Sequence, residues 1–128
     1  MLRLGVAILL LFAIAACLSS KNGPLIGGIY TIDNGDGTFG VVKVLVVDPD
    51  LVHVAVYKNK WQTRPTSVES SSLSVGSITD KDGFGMEHLP LSRETFEKWK
   101  PVLVTKQAVT NDELDGYNEW KKDGGGRF

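Results

Sequence analysis

The sequence predicts an α+β fold: a curled antiparallel sheet with two short C-terminal helices, preceded by an N-terminal signal helix. Three observations lead there. Valine-rich, β-type segments come early and are separated by turn residues. Helix-capping signals come late, at Ser92 and Thr110. Strands and helices do not alternate, which argues against a parallel βαβ sheet.

Gly28 to Asp33 reads as the first strand, carrying Ile29, Tyr30 and Ile32. Asn34-Gly35-Asp36-Gly37 follows, and Asn-Gly and Asp-Gly pairs are strong hairpin signals because they tolerate positive φ. Thr38 to Asp48 is the second strand. Asp48-Pro49-Asp50 is the next turn, where proline presets φ and the aspartates bond nearby amides. Leu51 to Tyr57 is the third strand. A turn centred on Pro49 pairs Val46 with Val52, Val44 with Val54 and Val42 with Val56, so six valines share one face. The other face is mixed: Val41, Lys43, Leu45 and Val47 stand opposite Tyr57, Ala55, His53 and Leu51.

Trp61 to Pro65 is expected to run as an extended edge segment, because proline is confined to edges and bends. Ser70 to Ser72 reads as loop, Leu73 to Thr79 as a fourth strand, Asp80 to Gly83 as a turn and Phe84 to His88 as a fifth strand. Ser92 suits an N-cap, with Leu91 and Phe96 as a hydrophobic staple, for a helix over Arg93 to Lys100 that Pro101 ends. Val102 to Thr105 is another strand. Thr110-Asn111-Asp112-Glu113 is a capping box opening a helix to Lys122, with Leu114, Tyr117 and Trp120 inward. Lys121-Lys122 complements its dipole and Gly124 to Gly126 stops it. The outline is that of an SH3-like small barrel with helices on one side, an analogy that carries no function.

The first residues stand apart. Arg3, an apolar run from Leu4 to Ala16, and small residues at its end have the three-part layout of a secretory signal. At 1.5 Å per residue the run makes a helix of about 20 Å, short of the roughly 30 Å bilayer core. Ile14-Ala15-Ala16-Cys17 resembles the lipobox of bacterial lipoprotein precursors. The resemblance implies diacylglycerol on the Cys17 thiol, cleavage before Cys17, and stable anchoring by two or three acyl chains. Leu18, not aspartate, follows, a pattern that resembles passage to the outer membrane. The expected organisation is a signal peptide over 1–16, a lipidated tether over 17–24 and a single α+β domain over 25–128.

The 128 residues carry 14 Lys+Arg and 15 Asp+Glu. Phosphate binding leaves a basic excess, so no nucleic-acid partner is expected. One cysteine excludes an internal disulfide and any multi-cysteine metal site within the chain. The acidic turns miss the EF-hand pattern: counted from Asp33 the third position is Gly35, and counted from Asn34 or Asp80 the twelfth is a leucine. No P-loop or dinucleotide fingerprint is present, and Gly124 to Gly126 trails a helix at the wrong dipole end for phosphate. No cofactor is expected.

His53, His88 and Glu87 would supply nitrogen and oxygen ligands or an acid–base pair if the fold joined them, but no H-E-x-x-H spacing supports this, and structural roles are the plainer reading. Tyr57, Lys58, Trp61 and Arg64, with Lys43 and His53, form a basic–aromatic candidate surface for an envelope protein or glycan. Trp99 and Trp120 suit helix-to-sheet packing. Gly40 to Leu45, Val52-His53-Val54 and Phe84-Gly85 to Leu91 resemble a small uncharacterised bacterial family, which brings no activity and no catalytic residue. The expectation is an exported lipoprotein, membrane-anchored through Cys17, whose domain binds a partner without chemistry. An immunity-type protein that neutralises a toxin is the alternative, and a small metal-dependent enzyme a third class.

Overall fold

Side chains close the first turn, in a computed structural model that describes residues 23–126. Asp33 accepts from the Gly35 amide at 2.8 Å, and Asp36 accepts from the Thr38 amide and hydroxyl at 3.0 and 2.6 Å. Gly35 and Gly37 take φ of 83° and 90°, which a side chain would strain. Strands β1 (Gly28–Asp33) and β2 (Phe39–Val47) pair across this turn, and β3 (Leu51–Val56) pairs with β2 across the Pro49 turn. Then come β4 (Met86–Ser92), α1 (Arg93–Lys98), β5 (Val102–Lys106) and α2 (Asp115–Lys122). The five strands form one antiparallel sheet in the order β4-β3-β2-β1-β5. The expected signal peptide, Cys17 and most of the expected tether lie outside the described residues.

The valine face is the main core. Val42, Val44, Val52 and Val54 pack with Tyr30, Ile32 and Leu91, and Phe96 of α1 closes over them. Tyr30 meets Phe96 edge-on at 5.5 Å between ring centroids. The α1 start is as expected: the Ser92 side chain accepts from the Thr95 amide at 3.0 Å, and the staple residues Leu91 and Phe96 are both buried.

Several details differ from the sequence reading. Val42 and Val44 pair as expected, but a bulge at Leu45 shifts the rest, so Val46 opposes His53 and Val47 opposes Val52. The bulge turns Val46 to the mixed face and brings Val47 against the core. Leu73 to Thr79 is not a strand: the amides of Gly76, Ser77 and Thr79 go to the side chains of Ser74, Asp80 and Ser77, which compete with a ladder. The next strand starts at Met86, not Phe84, and admits Pro90 because β4 is an edge. Helix α1 ends at Lys98, and Lys100 takes φ 53° ahead of Pro101. The second helix opens as a 3₁₀ turn at Asp112–Leu114 before α2 begins.

The barrel and the one-sided helices are also corrected. β4 and β5 are opposite edges and do not pair among the described residues, so the sheet is open. α1 covers the valine face, while α2 covers the mixed face. A sheet carrying apolar side chains on both faces needs a cover on each.

Candidate functional site

The mixed face gathers most of the residues that the sequence singled out. Lys43 occupies the middle of β2, where alternation puts it among Ile29, Val41 and Ala55. It is 2% exposed, and its ammonium donates to the Ala108 carbonyl at 3.0 Å and to Glu113 at 2.9 Å. Glu113 is placed by the capping box: its carboxylate accepts from the Thr110 amide at 2.9 Å. Burial pushes the Glu113 carboxyl up, but the Thr110 amide and the Lys43 ammonium more than offset it and hold it below its ordinary value.

His53, on β3, is fully buried. Its Nε2 stands 2.7 Å from Asp48 Oδ2 and its Nδ1 stands 2.9 Å from His88 Nε2. Donor and acceptor matching orders the protons. A carboxylate only accepts, so the bond to Asp48 calls for a proton on His53 Nε2; with that one ring proton, Nδ1 accepts from His88 Nε2–H. The two imidazoles lie near parallel, with centroids 5.1 Å apart. Tyr117 and Trp120 of α2 close over His53 at 4.8 and 4.7 Å. Gly116 permits this approach, since a Cβ there would stand 2.8 Å from His88 Cβ. Burial first, and then the neighbouring His53, push His88 down to about 4, so it is neutral at pH 7.

A cavity of about 220 Å³ opens beside this cluster, lined by Ala55, Tyr57, Val75, Glu87, Asp112 and Glu113. Burial, helped by the Glu113 charge, pushes the Tyr57 hydroxyl up to about 12, so it stays protonated and able to donate. The histidine rings do not line this cavity. Among the described residues, no group of three His, Cys, Asp or Glu side chains is arranged to hold a metal ion.

The basic–aromatic stretch is dispersed. Trp61 pairs with Phe39 through two backbone hydrogen bonds of 2.8 and 2.9 Å, but the extended edge expected over Trp61 to Pro65 stops at this single bridge, because the chain bends at Gln62 and Thr63. Arg64 lies over the Phe39 ring at 5.0 Å and donates to the Thr31 carbonyl and hydroxyl at 3.0 and 2.9 Å. Lys58 binds Asp80 at 3.0 Å and Asp82 at 3.3 Å. Lys43 and His53 are withdrawn beneath the C-terminal segment, so they are not exposed beside Tyr57, Lys58, Trp61 and Arg64.

The structure thus joins His53 and His88, but the acid beside them is Asp48 and not Glu87, which lines the cavity. Asp48, Glu113 and Tyr117 were missed as partners. One signal was available: a lysine at a buried period-two position needs a carboxylate. No family model, curated protein or solved structure matches the chain.

Proposed function

We propose that the chain is a bacterial envelope lipoprotein, anchored by lipid on Cys17, whose folded part is a non-catalytic binding module. The observation that carries this reading is the placement of Ile14-Ala15-Ala16-Cys17 directly after an apolar run too short to span. No helix among the described residues is long and apolar enough to cross a membrane; on this reading the lipid on Cys17 supplies the attachment. The absence of chemistry is supported by how the histidines are used. Both ring nitrogens of His53 are occupied, and aromatic side chains close over the pair. The partner-binding surface is the rim around half-buried Tyr57, together with exposed Lys60 and half-buried Trp61 beside it.

Labelled palmitate tests the anchor. It should enter the full chain and be lost in Cys17→Ser; incorporation by that variant, or none by the wild type, overturns the reading. An immunity-type role is the second reading. The chain after Ala16 carries 13 Lys+Arg against 15 Asp+Glu, and Glu87 and Asp112 stand exposed at the cavity, which suits a basic toxin. A toxin gene next to this one, and survival of toxin-expressing cells only with the intact chain, would select that reading.

A further inference from the structure

The place where the chain enters the fold is fixed and apolar. The Gly27 amide donates to the Val44 carbonyl at 2.7 Å, the Gly28 amide to Leu25 at 2.9 Å, and the Gln107 amide to the Gly27 carbonyl at 2.8 Å. The Leu25 amide donates to the Tyr30 hydroxyl at 2.9 Å. Gly27 takes φ 83°, and a Cβ there would stand 2.6 Å from the Gln107 carbonyl, so the turn admits little else. This is a pinned turn, not a fraying end.

Yet it holds its apolar side chains toward solvent. Ile26 is 53% exposed, Leu103 45% and Leu25 37%. Leu25 and Leu103 are neighbours, since the Leu25 carbonyl and Leu103 Cδ1 lie 2.9 and 3.2 Å from the point where a Cβ on Gly28 would stand, and Ile26 is next to Leu25 in the chain. Exposed Lys106 pairs with Gly28 across β1 and β5, at the margin of the same patch. A rigid apolar patch with a cationic margin, on the outer strand of a sheet, calls for a cover.

We infer that Leu25, Ile26 and Leu103 form a docking face for the bilayer surface. The inference rests on the lipid-anchor reading above. Seven residues, Leu18 to Pro24, separate Cys17 from Leu25. At full extension they reach about 25 Å, so the patch is held within that distance of the acyl chains. Such tethering raises the local concentration of the patch at the membrane, and a small apolar contact then suffices. Lys21 in the tether and Lys106 at the margin are attracted to anionic headgroups. The acidic turn at Asp36 lies beyond the far end of β1, a strand of six residues, and so faces the aqueous side.

The test uses the full lipidated chain in vesicles of phosphatidylethanolamine and phosphatidylglycerol. A polarity-sensitive fluorophore is attached to Ile26→Cys, Leu103→Cys or Asp36→Cys; all three sites are exposed, and a thermal melt of each variant checks that it folds, above all Asp36→Cys, which loses the turn's bonds to Thr38. Blue-shifted emission at 26 and 103, with none at 36, is expected. Equal, water-like emission at all three, in a chain that incorporates palmitate, overturns the docking face and leaves the anchor standing. A disulfide between copies through Leu103→Cys would place a second copy on the patch and also overturn it. Absence of palmitate in the wild type removes the anchor and the docking face with it.

Discussion

Lys43 and Glu113 are an unequal pair, and their inequality sets what each substitution does. The lysine is 2% exposed while the glutamate is 27% exposed. Glu113→Gln leaves a buried ammonium with neutral acceptors only and no countercharge, and is expected to cost about 3 kcal/mol. Lys43→Met removes the buried charge and leaves Glu113 partly in water with the Thr110 amide, for about 1 kcal/mol. The double variant should recover most of the Glu113→Gln loss; urea titration of the three reads the cycle. His88 sets a pH dependence. Its folded value of about 4 lies below its ordinary 6.5, so the unfolded chain takes up the proton first. Stability is therefore full above pH 6.5 and falls as pH drops toward 4. Water at the half-buried ring screens the charge and holds the loss to about 1–2 kcal/mol. The urea midpoint of wild type should fall over that window, and that of His88→Gln should fall less.

Two glycines mark where elements press together. A Cβ on Gly85 would stand 1.8 Å from the Val56 carbonyl, so Gly85→Ala should push β4 off β3 and cost about 3 kcal/mol or more, read from the thermal midpoint. Gly116→Ala is different in kind. Alanine favours the helix by about 1 kcal/mol, but its methyl meets His88 and lifts α2 from the sheet. Amide exchange should quicken across Asp115 to Lys122 while β1 to β3 keep their protection. The sequence revealed the meander, the Ser92 cap and the Thr110 box because these follow from local rules: alternation, turn chemistry and capping. It did not reveal the Leu45 bulge, since no neighbour of Leu45 marks the extra residue. It read Leu73 to Thr79 as strand because apolar alternation there conceals how Ser74, Ser77 and Asp80 capture the backbone. The histidine cluster was legible as residues and not as an arrangement, because Asp48, His88 and Trp120 meet only through tertiary packing.

On the scale of the molecule, β2 is the centre. It lies between β1 and β3 and has both faces covered, by α1 on one side and by the C-terminal segment on the other. Slowest amide exchange is expected in Val41 to Leu45 and Val52 to Ala55, and fastest among the described strands in β5, whose residues are mostly exposed; exchange read by mass spectrometry or NMR checks the ranking.

The buried polar side chains of the mixed face also bear on how the chain reaches this state. β1, β2 and β3 are consecutive, joined by short turns, and form a unit of local contacts by residue 56. Glu113, Tyr117 and Trp120 come more than fifty residues later. Until they arrive, the half-built sheet shows solvent Lys43, His53 and Thr31 where an all-valine second face would stand. A charge in the centre of that surface opposes stacking on a neighbouring nascent sheet. The same lysine that later needs Glu113 thus acts as a gatekeeper while the chain is incomplete, and the late C-terminal segment converts a solubilising charge into an internal ion pair.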